Sequence, residues 1–509
     1  MTKDYFIIFY FFSSQSVVFA QKKNIEVINI VTKFKADPSG KTNSHSSFVM
    51  ACEYIKSKKG NCKLIIPFGK YIVGKQNHFD SKKNNENTYI NFEGEDIFKF
   101  INISNVILEG VKSPRGLLPI IQLSEHIRLG TFELNGEAPN DFDKFNIHPL
   151  NHYDSLYKFC AAPGVMLSIK ECNNISVSNI KFDGNIANLN IGGNWSGATS
   201  TDLEKKAGVK HIEINNHGIA VSNSSNIKLE NMVINNFGGD GIYINCNDKT
   251  ESFEIRDCKL NNNQRQGLSW VGGNNLKFVN SQINNTGIIK KDRKSHRFSL
   301  ITAPRLGIDI EPSFNKSCTN GYFENIIING CLGGALGIVG DSSSMCKNIS
   351  FNKCVFSDSE TDSFYKTPTV LLVGTVKTIK FEKCKVYGNL DMEANKRSVD
   401  FEPTYDSKLV ITNTFFSDIL PNGKKIKPWY NYLVTVNDFY FIEISSCVFN
   451  FTSCLPIFYR FPNISNFKSP LISLELKNNN FNHSKKNRIG NLPSLNNVLL
   501  INNVFNQIL

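Results

Sequence analysis

The chain has 509 residues, with 57 Lys and Arg against 45 Asp and Glu and a formal net charge of +12. Length alone would give about three domains, unless one repeat array, which can grow without limit, accounts for the whole. The basic balance suits an anionic partner such as an acidic polysaccharide, and equally fits a Lys- and Asn-rich composition. No aromatic-interleaved basic motif of a nucleic-acid-binding module is present, and no apolar run is long enough to span a bilayer.

Residues 1–20 read as a signal peptide: Lys3, the apolar run from Tyr5 to Phe12, and the small-residue ending Val18-Phe19-Ala20. Cleavage is expected after Ala20, with the remainder secreted or periplasmic. Residues 21–75 read as an N-terminal cap. Asp37 to Thr42 form a turn, Ser44 is placed to cap a helix, and Phe48, Ala51, Cys52 and Ile55 make one apolar stripe. Lys63 to Ile66 are strand-like, and Pro67-Phe68-Gly69-Lys70-Tyr71 turns into the next strand. This segment resembles the cap of the pectate-lyase superfamily, in which an A-D-G-x-T-D turn precedes a helix and a P-x-G-x-Y turn follows it. Here the first turn runs from Ala36 to Asn43, with Pro38-Ser39 inserted and Asn43 in place of the second Asp.

Residues 76–509 repeat. A unit apolar-x-[Asn/Asp/Lys]-x-x-apolar recurs as VSNIKF from Val177, LENMVI from Leu229, IRDCKL from Ile255 and FVNSQI from Phe278. It continues as FENIII from Phe323, FNKCVF from Phe351, FEKCKV from Phe381 and ITNTFF from Ile411. The last copies are ISSCVF from Ile444, LKNNNF from Leu476 and LINNVF from Leu500. From Leu229 to Ile255 is 26 residues, and from Ile255 to Phe278 is 23. Such periods mean stacked single-turn units. Short apolar runs punctuated by Asn and Gly, with almost no helical periodicity, predict an all-β chain: a single-stranded right-handed parallel β-helix behind a capping α-helix. Stretches near 135–164, 186–215 and 288–306 break the spacing and read as loop insertions, where function commonly sits.

Thirteen Cys would suggest disulfides in an exported chain, but the count is odd. Cys258, Cys354, Cys384 and Cys447 share one repeat position. That predicts an interior ladder of thiols acting as small apolar residues, with few or no bridges. No Cys/His spacing indicates a zinc site.

Candidate chemistry follows from aligning successive strands on their Gly: Gly218, Gly241, Gly267, Gly307 and Gly337. In this register Ala220, Tyr243, Ser269, Asp309 and Val339 share one outward column, and Asn245, Val271, Glu311 and Asp341 the next. Arg265 and Arg305 stack two residues before their Gly. Asp309 and Glu311 lie two apart on one strand, with Cα atoms roughly 6.5–7 Å apart, and are the candidate acid and base of glycoside cleavage. The competing reading is a solvated charge pair that neutralises the arginines. Arg265 and Arg305 would clamp substrate anions, with Tyr243 and Asp341 beside them. A second D-x-E-P, Asp400 to Pro403, is expected in the same column about three coils on. Trp270 aligns with the inward Ile244 and Ile310 and reads as core, whereas Trp195, in a Gly-rich loop, is the better sugar platform. Asp240 reads as a turn residue, and His211 and His217 as structural.

As a whole the chain resembles the right-handed β-helix proteins of the pectin-lyase-like superfamily. That resemblance implies action on polysaccharide. The N-T-D, G-D-D, G-H-G and R-I-K set of polygalacturonases and the D-P-H-E motif of alginate epimerases are absent, so no site residue carries over. The expectation is a carbohydrate-active enzyme cleaving an anionic polysaccharide, with hydrolysis preferred over elimination and no cofactor indicated by the residues. One alternative is a polysaccharide lyase using a Lys or Arg, such as Arg265 or Arg305, as base, with or without Ca²⁺. The other is a glycan-binding adhesin without catalysis. Monomer and homotrimer both fit a solenoid.

Overall fold

The computed structural model describes residues 25–80, 90–132, 161–193, 212–247, 252–287, 302–340, 343–357, 367–374, 376–393, 407–426, 432–436, 441–452, 454–459, 473–483 and 498–507. The expected signal peptide, Trp195, Asp341 and the Asp400–Pro403 motif lie outside them. So do most of the first and third insertions.

The repeats form a right-handed parallel β-helix. One coil runs from the first sheet (Ser225–Glu230) through the second (Val233–Asn235) and third (Ile242–Asn245), and returns to the first at Phe253–Arg256. Strands of adjacent coils pair in parallel, Ile227 beside Phe253 and Leu229 beside Ile255. The corner between the first and second sheets explains the repeat. Its third position adopts the left-handed conformation in all eleven copies, from Asn179 (φ 61°) to Asn502 (φ 49°). Asn tolerates that conformation best among residues with a side chain. Where two Asn are neighbours their amides bond across coils, Asn231 Nδ2 to Asn179 Oδ1 at 2.7 Å and Asn325 Nδ2 to Asn280 Oδ1 at 3.0 Å.

The fourth repeat position points inward and carries the expected thiol ladder. Cys354 Sγ reaches Asn352 O at 3.4 Å and Phe323 O, one coil back, at 3.6 Å. Cys384 and Cys447 repeat the pattern. These cysteines are buried and free, and burial pushes the Cys258 and Cys447 thiols up to about 12. An aromatic stack continues the core through Phe416, Phe449 and Phe481 and ends on the exposed Phe505, with centroid spacings of 5.0, 4.9 and 5.0 Å.

The helix His45–Ser57 closes the N-terminal end. Phe48, Ala51, Cys52 and Ile55 are buried, and the Phe48 ring meets Phe98 edge-on at 5.1 Å. Burying such a ring stabilises by roughly 1.5–3 kcal/mol. Ser44 occupies the N-cap position, but its hydroxyl accepts from the Asp37 N–H at 2.8 Å, while Asn43 Oδ1 accepts from His45 N–H. Asp37 also accepts from the backbone and hydroxyls of Ser39 and Thr42, which hold its carboxyl well below the usual range. The two cap turns clasp: Lys70 N–H donates to Pro38 O at 2.9 Å, and a Cβ at Gly69 would stand 2.5 Å from that oxygen. At the start of this cap, ahead of the helix His45–Ser57, Glu26–Asn29 adds an unanticipated strand to the first sheet, followed by the short helix Ile30–Phe34.

The described residues of the insertion expected at 186–215 are built into the coil stack. Ile186–Asn188 is a 3-10 turn, Asn190–Ile191 pairs with Arg128–Leu129, and Ile186, Leu189 and Ile191 are buried. Their apolar side chains make this stretch core. Thr302 Oγ1 donates to Ile212 O at 3.1 Å, tying the end of the third insertion to the end of the second.

Candidate active site

The outer face of the third sheet carries the candidate chemistry. Backbone pairing sets Ala220, Tyr243, Ser269 and Asp309 in one column, as the Gly alignment predicts. The next strand departs from that alignment: Asp309 lies beside Gly337, because Ile308 pairs with Leu336. Continuing the register puts Val339, and not Asp341, beside Glu311. A two-residue slip keeps inward residues inward; Leu336 and Ile338 are both fully buried, so alternation accepts either register. The Glu311 column otherwise holds, with Val271 N–H bonded to Ile244 O and Glu311 N–H to Trp270 O. Trp270 is fully buried core.

Asp309 is outward in register yet only 2% exposed, whereas Glu311 is exposed. The pair is therefore split by environment. Desolvation first, and then the Glu311 charge, push the Asp309 carboxyl up to about 8, against the pull of Arg265 and the Gln266 amide. Gln266 Nε2 donates to Asp309 Oδ2. The other oxygen faces Gly337, where a Cβ would stand 3.5 Å from Oδ1 and 2.6 Å from Leu306 Cδ1. A protonated Asp309 thus has Oδ2 engaged as acceptor and Oδ1 as the oxygen left to carry the proton.

Arg265 sits behind this carboxyl. It donates to Asp240 Oδ2 at 3.1 Å, to Oδ1 at 3.4 Å and to Gln266 Oε1 at 3.3 Å. Burial opposes its charge, but Asp240 and then Asp309 outweigh that and raise its pKa further. Asp240, expected as a turn residue, is fully buried and is the arginine's counter-ion. The Asp240 N–H donates to His217 Nδ1 at 3.0 Å. An accepting Nδ1 means a neutral ring protonated at Nε2. Burial, which lowers the His217 pKa, agrees. The 3.5 Å approach of Nδ1 to Asp240 Oδ2 is then contact without an ion pair. His217 stacks on Tyr243, centroids 5.1 Å apart, and Tyr243 Oη accepts from Asn245 Nδ2 at 3.0 Å.

The expected arginine clamp takes a different form. Arg265 and Arg305 are neighbours in register, since Gly267 pairs with Gly307 through Leu268 N–H to Gly307 O. Arg305, however, has φ 65° and is 8% exposed, and a Cβ at Gly287 would stand 2.9 Å from its Cβ and Cγ. One arginine is thus engaged by Asp240 and the other is packed on a turn, so they do not present two guanidinium groups to solvent. A left-handed residue at 305 leaves no trace in an apolar pattern.

Sequence reasoning passed over Gln266 and the second carboxylate of the column. Through Gly337 and Leu371 the Asp309 column reaches Asp391, with Thr435 beyond it. Three strand spacings put Asp391 roughly 14 Å from Asp309. This coil, where the motif at Asp400 was expected, holds Asp391-Met392-Glu393, another D-x-E. The signal was available, but without a flanking Gly to set its register. Among the described residues no group of three or more His, Cys, Asp or Glu is arranged to hold a metal ion, and no helix is long and apolar enough to cross a membrane.

No protein-family model matches the chain, and no curated protein sequence matches it. Solved structures resemble it at low identity. The Geobacillus virus E2 protein ORF18 aligns with TM-score 0.44 and 10% identity over 91% of this chain, which spans 62% of the viral protein's length. The catalytic unit of a GH87 α-1,3-glucanase from Streptomyces thermodiastaticus gives 0.38 and 12%, over 94% of this chain and 68% of that one. The tailspike of E. coli bacteriophage HK620, solved with a pentasaccharide, gives 0.41 and 12%, over 90% and 67%. The coil-by-coil register shows that this chain has the parallel β-helix fold.

Proposed function

We propose that the chain is an exported glycoside hydrolase acting on a polysaccharide, with Asp309 as general acid and Glu311 as general base or nucleophile. One observation carries the reading: two carboxylates two residues apart, Asp309 on the strand Ile308–Ile310, buried and held protonated near neutral pH, and Glu311 just past its end in solvent. Environments that push paired carboxyl groups apart in pKa define acid and base roles. Asp309 would pass the proton on Oδ1 to the glycosidic oxygen as the bond to the anomeric carbon breaks. Glu311 would take a proton from the attacking water, or attack that carbon itself. Gln266 holds the acid in place, and the Arg265–Asp240 pair fixes the charge behind it. The lyase alternative needs a neutral arginine as base. Arg265 is held cationic by Asp240, which disfavours it as that base.

The test is a product assay on acidic and neutral polysaccharides, scoring reducing ends and near-ultraviolet absorbance together, with and without EDTA. Reducing ends without absorbance are expected. Absorbance from an unsaturated product would make the enzyme a lyase, and binding without either signal would make it an adhesin.

A further inference from the structure

We propose that Lys316 and Phe314 form an acidic-sugar subsite beside Glu311, with Lys316 receiving the sugar carboxylate and Phe314 stacking on the ring. This rests on the reading of Asp309 and Glu311 as a glycan-cleaving pair and names the substrate class that pair would meet.

With Arg265 bound to Asp240 and Arg305 buried, recognition of an anionic glycan on this face needs another cation. Lys316 supplies it. Its ammonium donates to Asn245 Oδ1, and it makes no ion pair among the described residues. Lysines on the outer face of the first sheet, by contrast, pair with Glu, as Lys228 with Glu230 and Lys380 with Glu382. Asn245 lies in the Glu311 column, two strands away through Val271, so the ammonium is anchored roughly 10 Å from the Glu311 backbone. Asn245 in turn donates to Tyr243 Oη, making Lys316, Asn245 and Tyr243 one polar row on the outer face.

The turn that delivers Lys316 also delivers Phe314. Ser313 N–H bonds Val271 O at 2.8 Å, Lys316 N–H bonds Ser313 O at 2.9 Å, and Asn315 takes the left-handed conformation at φ 57°. This anchored turn holds Phe314 at 77% exposure, the highest value of any large hydrophobic residue described. An exposed ring on a fixed turn offers area at little entropic cost, and the apolar C–H face of a pyranose is a matching surface. An ammonium with no ion pair among the described residues, on the same turn as such a ring, suits a sugar bearing a carboxylate.

Affinity electrophoresis of the full chain through gels containing polygalacturonate, alginate or hyaluronan tests this, with carboxyl-reduced polygalacturonate as the neutral control. At least one acidic polymer should retard the protein. Lys316→Met should weaken that retardation about ten- to a hundredfold, the range expected of a charged hydrogen bond, and Lys316→Arg should restore most of it. Phe314→Ala should weaken binding to acidic and reduced polymers alike. The subsite is wrong if no acidic polymer retards the protein, if Lys316→Met behaves as the parent, or if that variant loses equally on the reduced polymer. Failure of the catalytic reading looks different: Asp309→Asn would still degrade polymer, whatever Lys316 does to binding.

Discussion

The first and third sheets of the solenoid share strand geometry and in–out alternation, yet their outer faces are opposites. On the first, Lys228 meets Glu230 at 2.7 Å and Lys380 meets Glu382 at 2.6 Å, with the Lys228–Glu230 side chains 42% and 38% exposed. Lys380 holds the Glu382 carboxyl below its ordinary value. On the third, Ser269, Asp309, Asp391 and Thr435 are outward in register and buried. There a carboxyl is pushed up and not down. Alternation decides which side chains leave the core; only what lies over the sheet decides whether they reach water. The first face carries paired, hydrated charges, whereas the third holds a desolvated carboxyl with a raised pKa, the kind of environment that marks a candidate functional site.

The largest effect that would break this contrast is chemical. Asp309→Asn removes the proton donor and should lower kcat by roughly two to four orders of magnitude, measured as reducing ends released per enzyme. Glu311→Gln should do the same. The sign of the pH effect on stability follows from the raised pKa. Folded Asp309 keeps its proton to about 8, whereas the ordinary carboxyl value is 3.8. Its contribution to stability is therefore complete below about pH 4 and is lost as pH rises through 8. Relative to Asp309→Asn, the parent protein should show a falling Tm between pH 4 and 9. A constant difference in Tm across that range would mean that Asp309 is ionised throughout, like the acids of the first sheet.

The next effect is structural. Arg265→Met would strand Asp240 buried without its cation, a loss of roughly 3–5 kcal/mol, read by urea denaturation. Asp240→Asn in the same chain should return part of it, because the amide carries no charge to compensate. If the single substitution were neutral, the pair behind Asp309 would be as dispensable as a surface bridge, and its part in fixing the charge of the site would fall.

How far the sequence foretold all this depends on the residue. The repeat was legible because its third position must turn left-handed, which favours Asn, and its first and last positions must be apolar. Four Gly of the third sheet aligned correctly for the same local reason, since each precedes an inward residue at a strand start. Gly337 misled, because Leu336 and Ile338 both fill the core and a slip of two preserves every face. The environment of Asp309 was not legible at all. Its burial, the amide of Gln266 and the partnership of Asp240 with Arg265 come from different coils, and no pattern along one strand records them. Lys316 was missed for a related reason: its partner Asn245 lies 71 positions away.

The smallest effect sharpens the comparison from the other side. Lys228→Ala removes one member of an exposed first-sheet pair, and such pairs contribute roughly 0–1 kcal/mol because both charges keep most of their hydration and salt screens what remains. The midpoint of urea unfolding should barely move, and the small shift should vanish at high ionic strength. Arg265→Met should keep its deficit there, since a carboxylate enclosed by protein is poorly screened. The two variants measured side by side at low and high salt thus separate the faces by response as well as by size. Equal deficits with equal salt dependence would mean that the third sheet is solvated like the first, and that Asp309 has no special environment from which to act.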